Sequence, residues 1–146
     1  MAVRTRYFAA YVVVTTLFAA LGHNACALDI VREGQPVAAV VVDVDASAQV
    51  TAAAQLLVDY VERAAGARLP MANELPPDGA AVCIGHSELW EVPDQSGLDD
   101  DGFDIAFPSE TTMVIAGPTD WGTELGVCEL LERYVGVRWL LPGPAG

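Results

Sequence analysis

Val37-Ala-Ala-Val-Val-Val-Asp43, followed from Ser47 to Gly66 by SAQVTAAAQLLVDYVERAAG, is the stretch that decides the fold. Val37 to Val42 carries no polar residue, as a strand covered on both faces would. Asp45 or Ser47 then offers a side-chain oxygen to cap a helix. Val50, Ala54, Leu57, Val61 and Ala64 recur every three or four residues, with Tyr60 beside them. Asp59, Glu62 and Arg63 fall mostly on the other side. The spacing predicts an amphipathic helix from Ser47 to about Ala65, laid on a sheet. Gly66 stands where a left-handed cap belongs, and Pro70 prevents continuation.

Working outward, residues 28–36 (LDIVREGQP) read as a short strand and a turn. Met71 to Gly79 (MANELPPDG) reads as a Pro-rich loop, and Ala80 to Ile84 as a strand ending at Gly85. His86 to Gly97 has no clear period. Gly102 to Phe107 alternates, with Phe103, Ile105 and Phe107 on one face. Pro108-Ser109-Glu110 turns the chain into a return strand, Thr111 to Ala116. A second amphipathic helix is expected from about Thr123 to Val135, with Val127, Leu130, Leu131 and Tyr134 on its apolar side. Val137 to Leu141 is expected as a last strand, broken by Pro142. The element order is β-β-α-β-β-β-α-β. The central hairpin makes the sheet mixed, and two helices on one face of it give an α+β fold.

Residues 1–27 read as a cleavable secretory signal peptide. Arg4 and Arg6 precede the uncharged run Phe8 to Leu21, and Ala25-Cys26-Ala27 offers the small-x-small cleavage pattern. The run has 14 residues, short of the roughly 20 that span a bilayer. The expected domain is then 28–146, secreted or periplasmic and free of the membrane after cleavage. Its 119 residues hold five Arg, no Lys and 20 Asp plus Glu, a formal charge of −15. Such acidity opposes nucleic acid and anionic membranes, whose phosphates need Lys and Arg.

Cys83 and Cys128 remain in this domain. Export permits a disulfide between them, while their apolar neighbours suit two buried thiols. Two cysteines with no adjoining His are a poor zinc site, and the domain's only His is His86. Gly117-Pro-Thr-Asp-Trp-Gly122-Thr123 has the glycine spacing of a phosphate loop but lacks its Lys. It reads as a tight strand-to-helix turn in which Gly supplies unusual backbone angles. Asp99-Asp100-Asp101 lacks the alternate spacing of a calcium loop. The carboxylates Asp43, Asp45, Asp104 and Glu129 form no specific acid–base pair, and Ser87 beside His86 lacks a third member. No catalytic residue, cofactor or metal is therefore expected. Trp121 and Trp139 suit either an interface or core, or stacking on sugar rings.

Several segments together resemble a known family. They are Tyr60-Val-Glu-Arg-Ala-Ala-Gly66-Ala-Arg-Leu-Pro70, Val82-Cys-Ile-Gly85, Asp101-Gly-Phe-Asp-Ile105 and Val114-Ile-Ala-Gly117. The longest is Gly122-Thr-Glu-Leu-Gly126-Val-Cys-Glu-Leu-Leu-Glu132, continued by Gly136-Val-Arg-Trp139 and Pro142-Gly143. In order and spacing they are similar to the non-catalytic N-terminal domain of secreted alpha-glucuronidases and beta-N-acetylhexosaminidases, the zincin-like hexosaminidase accessory domain. The resemblance implies a mixed sheet with two helices on one face, placed ahead of a catalytic barrel that holds the carboxylates. Gly146 falls where the linker to that barrel is expected. Arg138 and Trp139, at the domain's end, are the expected barrel contact, and polysaccharide is an expected ligand of the whole protein. Ala65 departs from the family's Thr, and Glu124 and Cys128 from its aromatic or small residues, which leaves the substrate open. The alternative is a free-standing extracellular carbohydrate-binding module.

Overall fold

A computed structural model describes residues 28–139. The signal-peptide reading on residues 1–27 lies outside these residues, as does the end of the expected last strand. The chain forms β1 (Val31–Arg32), β2 (Gln35–Pro36), β3 (Ala38–Val42), α1 (Ala48–Ala65), β4 (Met71–Ala72), β5 (Ala80–Ile84), β6 (Asp104–Ser109), β7 (Thr112–Ala116) and α2 (Asp120–Leu130). A single π-turn, Leu131–Val135, extends α2. The five-stranded sheet has the order β4-β3-β5-β7-β6, and β1 and β2 form a separate small hairpin. β3 pairs in parallel with β4 and β5, β5 in parallel with β7, and only β6 runs antiparallel. This is the mixed sheet of an α+β fold. No helix among the described residues is long and apolar enough to cross a membrane.

The unbroken apolar run of β3 follows from its central place. Val40 and Val42 face one side with Val82, Ile84 and Ile115, where α1 and α2 both pack. Val41 faces the other side with Ala81, Cys83, Val114 and Trp90. Residues 86–101, rather than a helix, cover that second face. Trp90 closes it, and its indole N–H donates to the Gly85 carbonyl at 3.0 Å.

α1 has the expected limits because both caps are local. The Ser47 hydroxyl accepts the Val50 N–H, and Gly66 at φ 69° returns its N–H to Glu62. Burial takes in Val50, Ala54, Leu57 and Val61 but leaves Ala64 exposed. Ala64 instead lines a shallow hollow of about 340 Å³ beside Leu28, Ile30 and Tyr134.

Five further expectations are corrected. Met71–Ala72 is an edge strand, docked on β3 at Val40 and Val41, with the Val40 N–H donating to the Pro70 carbonyl at 2.9 Å. The β6 alternation fails at Phe107, because the register shifts between Ala106 and Ser109 and turns that ring outward. α2 begins at Asp120 rather than Thr123, since Thr119 caps it by accepting the Gly122 N–H at 3.0 Å. Its last turn widens, so Tyr134 leaves the apolar stripe and is 72% exposed. Val137 to Trp139, the described part of the expected last strand, is irregular.

Close approach, rather than backbone angle, explains the loop from Gly117 to Gly122, and neither residue has positive φ. A Cβ on Gly122 would lie 2.2 Å from the Gly102 carbonyl oxygen, and one on Gly117 would lie 2.5 Å from the same atom. The buried Thr123 hydroxyl accepts the Gly117 N–H at 3.0 Å and donates to the Thr119 carbonyl at 3.1 Å. The loop is a close-packed corner.

Candidate functional site

The three parallel strands β3, β5 and β7 end at one edge of the sheet, where the helices begin. Ligands of open α/β sheets bind at such edges. Here the edge holds Asp43, His86, Ser87 and Gly117. The Ser87 hydroxyl donates to the Asp43 carboxylate and accepts the Leu89 N–H at 3.1 Å. Asp43 also accepts the Asp45 N–H at 2.9 Å. The Ser87 hydroxyl, and then that backbone N–H, hold the Asp43 carboxyl below the usual carboxylate range.

The His86 Nε2 lies 2.9 Å from the Gly117 carbonyl, so this nitrogen carries the proton and donates. A serine nucleophile needs an imidazole to accept its proton. In this protein the Ser87 proton points to Asp43, and the imidazole Nε2–H donates to the Gly117 carbonyl just after β7, so no bond joins Ser87 to His86. The arrangement ties three strand ends together and assembles no nucleophile.

The remaining carboxylates are dispersed. Asp104 opens β6, Glu129 pairs with Arg133 on α2, and Asp99 accepts the Gly102 N–H through its backbone carbonyl. No three His, Cys, Asp or Glu side chains gather as metal ligands among the described residues.

Arg138 and Trp139 come together at the opposite end of the fold. The Trp139 ring meets Tyr60 of α1 in a T-shaped contact, with centroids 5.3 Å apart and planes at 71°. The Arg63 guanidinium sits 5.1 Å over the same tyrosine. Arg138 donates to the Glu132 and Val137 carbonyls at 3.1 and 3.0 Å, which holds the chain after the π-turn. Tyr134, exposed on the π-turn, lines the hollow with Leu28, Ala64 and Ala65. Trp121 does not join the ledge made by Trp139 and Tyr60: the ring lies in the first turn of α2, about 15 Å back along the helix at 1.5 Å per residue.

Tyr60 on the ledge and Tyr134 on the π-turn are the residues at this end that site reasoning from sequence passed over. The Tyr60–Arg63 spacing of one helical turn carried a signal for the first. Nothing local announced the second, because the π-turn exposes it.

Cys83 and Cys128 are both free thiols. Cys83 faces the helix-free side of the sheet, whereas Cys128 sits on α2 over the other side. The sheet stands between them, so the bridge that export would permit does not form. Burial pushes the Cys83 thiol up to about 12. Cys128 is raised by burial first and then by Glu124 and Glu132.

The fold thus defines a class, a small α+β domain with two helices on one face of a mixed sheet and no assembled catalytic group among its described residues. No family model matches the sequence, and no curated relative matches it. Solved structures do. A family GH115 4-O-methyl-alpha-glucuronidase with specificity for decorated arabinogalactans is similar at a TM-score of 0.56 and 23% identity, over 74% of this chain and 14% of that one. A GH138 enzyme targeting pectin rhamnogalacturonan II is similar at a TM-score of 0.53 and 16% identity, over 67% of this chain and 13% of that one. At these identities the likeness is one of fold. The chain spans only 13–14% of the length of the enzymes it matches.

Proposed function

We propose that residues 28–146 form an accessory N-terminal domain of a secreted, carbohydrate-degrading glycoside hydrolase, of alpha-glucuronidase or beta-N-acetylhexosaminidase type. In this reading the domain is of the zincin-like hexosaminidase accessory kind, supports a catalytic barrel and is not itself catalytic. The observation that carries it is the likeness of this fold to a small part of two large glycoside hydrolases. The hydrogen bonding at the strand ends supports the non-catalytic role, because the one His–Ser pair is wired to neighbouring strands and not to each other.

The Arg138–Trp139 ledge is the proposed barrel contact. Trp139 is 41% exposed and stands on Tyr60 at the end of the described chain, and interfaces favour such half-buried aromatic and arginine side chains. Residues 1–27 serve as the export signal, which makes the protein secreted or periplasmic and polysaccharide its substrate class. The test is the coding frame beyond Gly146. It is expected to continue for about 250 residues or more with the alternating strand–helix periodicity of a barrel. A frame that closes there, together with binding of the free domain to a glycan array, overturns this reading in favour of a carbohydrate-binding module.

A further inference from the structure

Charge is sorted along the fold. Arg32 lies in the β1–β2 hairpin, Arg63 and Arg68 at the C-terminal end of α1, and Arg133 and Arg138 beyond α2. These are the only cationic side chains, His aside, among the described residues. All sit toward the end where the parallel strands begin. Every ion pair among the described residues is there too, and engages Arg32, Arg68, Arg133 or Arg138.

The other edge, where strands finish and helices start, carries Asp45, Glu88, Asp99, Asp100, Asp101 and Asp120 with no Lys or Arg. The arginines lie roughly 20 Å away along α1, at 1.5 Å per residue. That is more than two Debye lengths of about 8 Å at physiological salt, so they do not neutralise the edge.

Three large apolar side chains are exposed on this same edge. Val44 is 78% exposed, Leu89 49% and Trp121 52%. Val44 and Leu89 line one open groove of about 690 Å³ with Asp43, Asp45, His86 and Glu88. Trp121 follows the loop that His86 ties to the groove through the Gly117 carbonyl. Local structure accounts for Asp43, which holds Ser87 and Asp45, and for Glu124, which accepts from Gln49 at 2.7 Å. It does not account for exposed Val, Leu and Trp side chains among carboxylates. Exposed apolar side chains set beside charged ones are what a protein interface presents.

We propose that this edge docks a protein partner presenting an apolar knob ringed by Lys or Arg. The sign of the edge excludes anionic surfaces. Among the described residues Trp121 is the one large flat ring exposed on this edge, and the aliphatic Val44 and Leu89 that line the groove give a sugar no second one to stack on. A second copy of this chain is a poor match, since four of its five arginines are already held by its own carboxylates. The edge lies at the opposite end from Trp139, so the inference does not rest on the barrel reading, and a failure of either leaves the other standing.

The test is fluorescence-anisotropy titration of the full-length protein with two labelled probes of equal charge, an amphipathic Leu/Lys helix and an oligolysine. The Leu/Lys helix is expected to bind about tenfold more tightly. Leu89→Ser and Trp121→Ser are expected each to weaken it by about tenfold, as hot-spot truncations do. Asp99→Asn/Asp100→Asn/Asp101→Asn weakens both probes, and Glu132→Gln at the far end weakens neither. Equal affinity for the two probes, or indifference to Leu89→Ser and Trp121→Ser, overturns the proposal. So does self-association, seen by light scattering, that Leu89→Ser and Trp121→Ser abolish, since the edge would then belong to a second copy.

Discussion

The Ser87 hydroxyl donates to the Asp43 carboxylate across 44 residues of sequence, and that bond joins the ends of two neighbouring parallel strands. Because the hydroxyl holds Asp43 below its ordinary 3.8, the bond stabilises the fold above the unfolded-state value and is lost as pH falls through the folded one. Ser87→Ala is expected to lower Tm at neutral pH, by a margin that narrows as pH falls below the unfolded-state 3.8 and Asp43 is protonated. Thermal melts of both proteins across that range check this. A constant difference at all pH values would remove the ionised carboxylate from the account.

Trp139 and Tyr60 form the ledge as a pair. Aromatic pairs contribute about 0.5–1.5 kcal/mol beyond their area. Trp139→Ala and Tyr60→Ala should each destabilise, and a double-mutant cycle in urea should return a coupling of about 1 kcal/mol. Additive effects would show that the two rings do not interact.

Gly122 and Gly97 separate packing from chain freedom. A Cβ on Gly122 would sit 2.2 Å from the Gly102 carbonyl oxygen, whereas one on Gly97 meets nothing within 4 Å. Gly122→Ala should therefore cost about 3 kcal/mol, as overpacked interiors do. Gly97→Ala should be neutral or stabilising by up to about 0.5 kcal/mol. Urea midpoints of the two variants give the contrast.

Gln95, in the segment covering the helix-free face, buries both amide atoms with no hydrogen-bond partner in the described structure. An unmade bond of this kind costs about 1–3 kcal/mol. Gln95→Leu should raise the urea midpoint. A lower midpoint would indicate that the amide is satisfied in solution.

Cys83 carries a thiol pushed up to about 12 by burial, and the thiolate is the reactive form. At pH 8 a thiol reagent should label Cys83 only on unfolding. Reductant should leave Tm unchanged, because both cysteines are free thiols. A Tm that falls on reduction would reveal a bridge.

Much of the framework was legible from residues a few positions apart. The run Val37 to Asp43 announced a strand covered on two faces. Ser47 and Gly66 bracketed α1 because a helix satisfies its first N–H and last C=O groups locally. Ala80 to Ile84 was legible for the same reason as β3. Met71–Ala72 was not, since two residues carry no period and only the offered edge of β3 makes them a strand. The late turn of α2 was equally hidden, because the extra π residue conforms to packing rather than to the sequence period.

The sequence by itself determined the α+β class, the limits of α1 and the acidity of the chain, since each depends on composition or on neighbours within one turn. Tertiary structure decided that Trp139 stands on Tyr60 while Trp121 lies at the other end. It put the sheet between Cys83 and Cys128, and it left Val44, Leu89 and Trp121 open on a carboxylate edge with the arginines at the far end. Those relationships depend on which strands lie side by side and which way each helix returns. Burial of the common core selects both, and no local window of sequence contains them.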